Sequence, residues 1–124
     1  MTEHDLFAVL VRCRERPRGV LQQLSAEGVP FVVYQKGGTC ADNRSKGLHA
    51  AGDSLRQLPH NYGRECGPYL RFIVDHYEAL PRTTIFLQMG APVHLSYPDA
   101  LWPNLAFLRT NATYAPPPFA ALSK

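Results

Sequence analysis

The chain alternates short apolar runs with segments of helical periodicity. The run LFAVLVR, Leu6 to Arg12, is rich in strand-forming residues, and comparable runs cover Phe31 to Tyr34 and Thr83 to Gln88. Between these runs lie segments whose apolar residues recur at helical spacing. Strands that alternate with helices usually form a parallel sheet. The sequence therefore predicts an α/β fold, a small parallel sheet of three strands with flanking helices.

Proline and glycine mark the ends of the two predicted helices. The first helix has Pro17 in its first turn and runs to about Glu27, where Gly28 stops it. The second begins at Pro68, and Pro81 breaks it. Its apolar residues, predicted to be buried along one face, are Tyr69, Phe72, Ile73, Tyr77 and Leu80.

The remaining segments are less regular. Residues 35–60 carry glycines and charges with little periodicity, so they are predicted to form a long surface loop with a candidate helical turn from Ala50 to Leu58. Another short helix is a candidate from Pro98 to Leu108. Because the prolines at 116–118 remove backbone donors, we expect a single α/β domain over residues 1–113 and a Pro-rich irregular tail over 114–124.

The charge composition and the N-terminal segment indicate which partners and compartments are not expected. A net charge of +3 arises from 13 basic and 10 acidic residues that are spread along all 124 residues, so a nucleic-acid partner is not expected. Glu3 and Asp5 precede only a short apolar run, which has neither the basic start of a signal peptide nor the length of a membrane helix. We therefore expect a soluble, cytoplasmic protein.

The three cysteines, Cys13, Cys40 and Cys66, stand far apart and form no C-x-x-C pair. This spacing predicts neither a zinc site nor a disulfide framework, and it favours a reducing compartment. Cys66 would lie near a helix N-terminus, where a thiol pKa can be lowered and a nearby histidine could serve as base. No catalytic signature surrounds it, so an inert cysteine is the simpler interpretation.

Polar residues follow each predicted strand. Arg14 and Glu15 follow the first strand, Lys36 follows the second, and Gln88 and His94 lie at or after the end of the third. Because the carboxyl ends of parallel strands share one edge of a sheet, where open α/β sheets bind ligands, we expect these side chains to bind a ligand together.

The turn before the second helix adds a candidate anion site. Asn61, Gly63, Arg64 and Glu65 precede a helix N-terminus, whose free N–H groups attract phosphate, and Glu65 is a candidate catalytic base or sugar-hydroxyl acceptor. A structural interpretation stays open, in which Glu65 stabilises the helix dipole and Asn61 forms an Asx turn.

Several segments resemble an uncharacterised microbial family of unknown function. They are VVYQKG, with a Tyr-x-Lys-Gly pattern, the Asn-x-Gly-Arg-Glu motif at Asn61 to Glu65, and FLQMG, close to Phe-x-Gln-Gly. The resemblance runs from about Leu6 to Pro98, and Met89 interrupts the usual Gln-Gly pair. It implies no settled activity.

A more distant similarity links this family to glycosyltransferases with the nucleotide-binding type A fold. The similarity implies a nucleotide sugar facing Arg14 and Glu15, with Asn61 and Arg64 along the sugar-phosphate, and a glycan as acceptor. The acidic metal ligands of that fold are replaced here by Gln88-Met89-Gly90, so no cofactor is expected and a divalent cation would be held poorly. Three hypotheses remain open: a glycosyltransferase-like enzyme, a non-catalytic glycan- or nucleotide-binding module, and a structural fragment of a longer family member.

Overall fold

The computed structural model describes residues 6–14, 19–40, 54–59, 66–89 and 101–110. Its elements follow one another as β1 (Leu6–Arg12), α1 (Val20–Ala26), β2 (Phe31–Gln35), a 3-10 turn (Gly38–Cys40), β3 (Leu55–Gln57), α2 (Cys66–Asp75), a second 3-10 turn (Tyr77–Ala79), β4 (Thr83–Gln88) and α3 (Leu101–Thr110). The tail over 114–124 lies outside the described residues.

The strands form one sheet in the order β3-β2-β1-β4, and every neighbouring pair is parallel. The predicted α/β fold is confirmed, with four described strands instead of the three expected. The chain adds β2 and β3 on one side of β1, and then crosses back to place β4 on the other side. The strand order therefore reverses beside β1, which is the arrangement of a doubly wound sheet.

Both faces of the sheet are covered by helices. On one face, Leu6, Ala8 and Leu10 of β1 share a core with residues of α1 and with Leu105 of α3. On the other face, Phe7 and Val9 pack with Phe72 of α2. A central strand covered on both faces buries nearly all of its side chains in apolar surroundings, which explains the apolar run from Leu6 to Val11.

The structure corrects the bounds of α1. Gly19 has φ 77°, a left-handed conformation that an α-helix cannot contain, so α1 begins at Val20 and not at Pro17. Pro17 lies outside the described residues. The other end agrees with the prediction, because Gly28 has φ 72° and its N–H donates to Ser25 O at 3.0 Å.

The long loop predicted over residues 35–60 is wrong in part. It contains the turn Gly38–Cys40 and the strand β3, which pairs with β2. Leu55–Gln57 is a strand and not the end of a helical turn, because its backbone pairs with the β2 edge, whereas residues 50–53 of the predicted turn lie outside the described residues.

The predicted apolar face of α2 is also partly wrong. The helix ends at Asp75, and Tyr77 and Leu80 are exposed instead of buried. The 3-10 turn Tyr77–Ala79 breaks the helical period, so these two side chains no longer follow Phe72 onto the sheet. The short helix predicted near the C-terminus is present as α3, which begins at Leu101 and extends to Thr110.

Candidate functional site

The carboxyl ends of β1, β2 and β4 lie side by side at one edge of the sheet, here called the carboxyl edge. Arg12 pairs with Gln35 in register across β1 and β2, and Val11 pairs with Gln88 across β1 and β4. The strand order reverses between β1 and β4, and doubly wound sheets generally bind ligands at the carboxyl ends of the strands beside such a reversal.

A buried amide joins the chain leaving β1 to the chain leaving β2. The Gln35 Oε1 accepts a hydrogen bond from Arg12 Nη1 at 2.6 Å. The Gln35 Nε2 donates to Cys13 O at 3.0 Å and to Lys36 O at 2.9 Å. A primary amide has two N–H donors and one carbonyl oxygen, and in Gln35 all three groups form hydrogen bonds. The side chain is therefore held in one orientation at the carboxyl edge.

Two cationic residues at this end of the sheet are buried. Arg12 is 2% exposed and Lys36 is 4% exposed, and the Lys36 backbone N–H donates to Arg12 O at 3.0 Å. Buried cations are unusual in proteins, because removing a charge from water is costly unless hydrogen bonds and opposite charges stabilise it. Arg14, two residues after Arg12, is exposed.

A disulfide bond joins the same two segments covalently. Cys13 follows β1, Cys40 ends the 3-10 turn after β2, and their Cα atoms are 4.6 Å apart. The expectation that the cysteines form no disulfide is therefore wrong, because the fold brings together two residues that are 27 positions apart in sequence. The argument for a reducing compartment rested on that expectation and loses its support.

Gly37 allows the chain after β3 to pass close to the chain after β2. A Cβ atom at this position would lie 2.5 Å from Leu58 O and 2.6 Å from Pro59 O. The Leu58 N–H donates to Gln35 O at 2.9 Å, which continues the pairing of β2 and β3 into this contact. The Tyr-x-Lys-Gly segment thus ends at a residue that can have no side chain.

Tyr34, the first residue of this segment, is buried on the α2 face of β2. Burial raises the pKa of its phenol above 10.0, and Asp75 raises the pKa further, while Arg56 and Arg71 lower it by a smaller amount. The neutral phenol is therefore the form that the folded protein favours.

The predicted site residues differ in what the structure describes. Arg14, Lys36 and Gln88 all lie at the carboxyl edge, with Arg14 exposed, Gln88 half-buried and Lys36 buried. The other predicted residues, Glu15, Asn61, Gly63, Arg64, Glu65 and His94, lie outside the described residues. Met89 is fully buried, and its N–H donates to Val11 O at 2.9 Å.

The sequence prediction missed Arg12 and Gln35. Alternation along the strands was the signal that could have found them. Arg12 has the parity of Leu10, and Gln35 has that of Val33, so both side chains point toward the α1 face where the apolar core ends. Their direct contact depends on the register of β1 and β2, which the sequence does not reveal.

Within the described ranges, no group of three or more His, Cys, Asp or Glu side chains could hold a metal ion. None of the described helices is long and apolar enough to cross a membrane.

Comparison with known proteins gives a family and no activity. No curated protein and no solved structure matches the chain. Residues 39–112 match a family described as a protein of unknown function, DUF3431. The matched region covers more than half of the chain and includes β3, α2, β4 and α3, whereas the resemblance read from the sequence began earlier, near Leu6. The chain therefore belongs to the DUF3431 family of proteins of unknown function.

Proposed function

We propose that this protein binds the diphosphate of a nucleotide sugar at the carboxyl edge, as a glycosyltransferase-like domain. The observation that carries the proposal is the doubly wound sheet, whose strand order reverses beside β1, with cationic residues at the ends of β1 and β2. Ligands of open α/β sheets bind at such a reversal.

The cations at this edge have two distinct roles in the proposal. Arg14 is exposed and contacts the phosphate oxygens directly through its guanidinium group. Arg12 and Lys36 are buried, so they act through their positive charge, which water screens less inside the protein than at its surface. A diphosphate carries the opposite charge and is the ligand class that this arrangement favours.

The turn before α2 completes the proposed site. α2 begins at Cys66, directly after Asn61 to Glu65, so its N-terminal N–H groups follow this turn. In the proposal, Asn61, Gly63 and Arg64 line the sugar-phosphate, and Glu65 is the catalytic base or accepts a sugar hydroxyl. Catalysis comes from stabilising the leaving diphosphate, with a glycan as acceptor.

The test is titration calorimetry with UDP-glucose, with UDP, GDP and ADP, and with inorganic pyrophosphate, each with and without manganese. We expect at least one diphosphate to bind, and Arg14→Ala to weaken binding about tenfold, which corresponds to one lost charge-assisted hydrogen bond. Arg71→Ala is the matched control, because Arg71 is an exposed arginine that pairs with Asp75 on α2. Equal affinities of the wild type and Arg14→Ala would contradict the proposed site.

Turnover is tested separately with Glu65→Gln and Arg64→Ala. Each substitution is expected to lower sugar transfer or nucleotide-sugar hydrolysis. If neither variant changes binding or turnover, the assignment of the turn before α2 is wrong. In that case the structural interpretation remains, in which Asn61 forms an Asx turn, and Asn61→Ala lowers stability with no effect on a ligand.

A non-catalytic binding module is the second candidate, and the end of β4 favours it. Gln88 and Met89 provide an amide and a thioether where a metal-dependent transferase would need carboxylates. Under this hypothesis a nucleotide or glycan binds without a divalent ion, and prolonged incubation with UDP-glucose yields no product.

A further inference from the structure

We propose that Gln35 is a positioning residue for anion binding at the carboxyl edge, an inference that rests on the function proposed above. Gln35 is 7% exposed, so it does not itself meet a ligand in solution. Its effect passes through the groups to which it is hydrogen-bonded.

These groups belong to both segments that present the cations. Through Arg12 Nη1, Gln35 fixes the direction of a buried guanidinium. Through Cys13 O, it fixes the backbone directly before Arg14, and through Lys36 O it fixes the backbone directly after β2. One side chain therefore sets the relative placement of Arg12, Arg14 and Lys36.

The disulfide does not duplicate this role. It limits the distance between the two segments at Cys13 and Cys40. The amide instead sets the orientation of the Cys13 carbonyl, and hence the direction in which the chain leaves β1 toward Arg14. Removing the amide while the disulfide remains should leave the fold intact and misplace the cations.

The sheet offers a matched control for this substitution. Gln57 on β3 is the neighbour of Gln35 in register, and it is the same residue type. Unlike Gln35, it is exposed. Methionine has nearly the volume of glutamine and cannot replace its amide hydrogen bonds, so Gln35→Met and Gln57→Met test the same change at a buried and an exposed position.

The experiment is a double-mutant cycle on the affinity for inorganic pyrophosphate, measured by calorimetry at a temperature where circular dichroism shows every variant folded. The variants are Gln35→Met, Arg14→Ala and the double variant, with Gln57→Met as control. We expect Gln35→Met and Arg14→Ala each to bind pyrophosphate about tenfold more weakly than the wild type. The double variant should also bind only about tenfold more weakly than the wild type, because Arg14 is already misplaced without Gln35. Gln57→Met should bind like the wild type.

A merely structural role of Gln35 would lower the melting temperature and leave the dissociation constant of the folded protein unchanged. The inference is overturned if Gln35→Met binds pyrophosphate like the wild type, or if the two effects multiply to about a hundredfold loss. Failure of the wild type to bind pyrophosphate or any nucleoside diphosphate would overturn the proposed function along with it. Wild-type binding that depends on Arg14 but not on Gln35 would overturn this inference alone.

Discussion

Gly37 lies where the neighbouring backbone leaves no space for a side chain. A Cβ atom there would collide with the backbone oxygens of Leu58 and Pro59, at 2.5 and 2.6 Å. Because backbone atoms cannot rotate out of the way, the chains after β2 and β3 would have to separate. Close approach, and not backbone conformation, is therefore what selects glycine at this position.

Gly37→Ala is expected to lower the free energy of unfolding by about 1–3 kcal/mol, the usual cost of overpacking. In Gly37→Ala, the Leu58 amide, which donates to Gln35 O, is also expected to exchange its hydrogen faster than in the wild type. Gly19→Ala is the control, because Gly19 has a positive φ but nothing within 4 Å of an added Cβ. That variant should lose stability without faster exchange at Leu58, and equal exchange in both variants would contradict the contact.

The raised pKa of Tyr34 predicts that the stability of the folded protein depends on pH. Its pKa is raised in the folded protein, mainly by burial, so an unfolded chain loses the phenolic proton at a lower pH than the folded one. The stabilising contribution is complete below pH 10 and is lost as the pH rises through the folded pKa.

We expect Tyr34→Phe to remove this part of the alkaline loss of stability. Urea unfolding at pH 8 and at several values above 10 measures it, and the wild type should lose more stability than the variant over this range. Tyr77→Phe, at an exposed tyrosine, is the control. Parallel curves for wild type and Tyr34→Phe would show that Tyr34 is not the group responsible.

At the scale of secondary-structure elements, the apolar patterns of the sequence predicted the strands whose side chains are buried in the sheet. β1 and β4 have the predicted bounds because each is a run that buries side chains in the sheet. β3 was missed because it has three residues, of which Arg56 and Gln57 are exposed, so burial leaves no pattern in its sequence. Residues 55–57 form a strand because their backbone pairs with β2, and the sequence of one segment does not show with which other segment it pairs.

The candidate site was predictable to a similar extent. Parallel strands predict that Arg14, Lys36 and Gln88 lie at the same edge of the sheet, and the structure has them at that edge. The Arg12–Gln35 hydrogen bond and the Cys13–Cys40 bond were not found, because both join segments that only the register of β1 and β2 brings together. Sequence spacing carries no information on such contacts.

The disulfide between the segments after β1 and β2 predicts a measurable contribution to stability. Its two cysteines are 27 positions apart, and closing a loop of this size is expected to stabilise the fold by about 3–4 kcal/mol. Chemical denaturation with and without a reducing agent measures this contribution. The variant Cys13→Ser/Cys40→Ser should match the reduced wild type, and Cys66→Ser should keep the sensitivity to reductant. Insensitivity of the wild type would contradict a stabilising bridge.

For the molecule as a whole, the family match and the folding unit do not coincide. The matched region starts at residue 39, after β1 and β2. In the sheet, β1 and β2 lie between β3 and β4, so the two matched strands do not contact each other. The residues before the matched region therefore supply the centre of the fold.

This arrangement predicts that a chain of residues 39–124 does not fold by itself. It would lack the strands with which β3 and β4 pair, and Phe72 of α2 would lose the Phe7 ring, whose centroid is 5.6 Å away. Circular dichroism and dispersion of the amide NMR signals measure the outcome, with the full chain as reference. A cooperative unfolding transition in the short chain would refute the prediction.

The anchoring of the segment between β2 and β3 has a consequence for how such a protein can diversify. Cys40 is held by its disulfide at one end, and Leu55 begins a paired strand at the other. Because these anchors hold β2 and β3, insertions or exchanges between them need not change the register of the two strands. The two anchors thus let length and sequence vary between positions 40 and 55 while the scaffold is inherited unchanged.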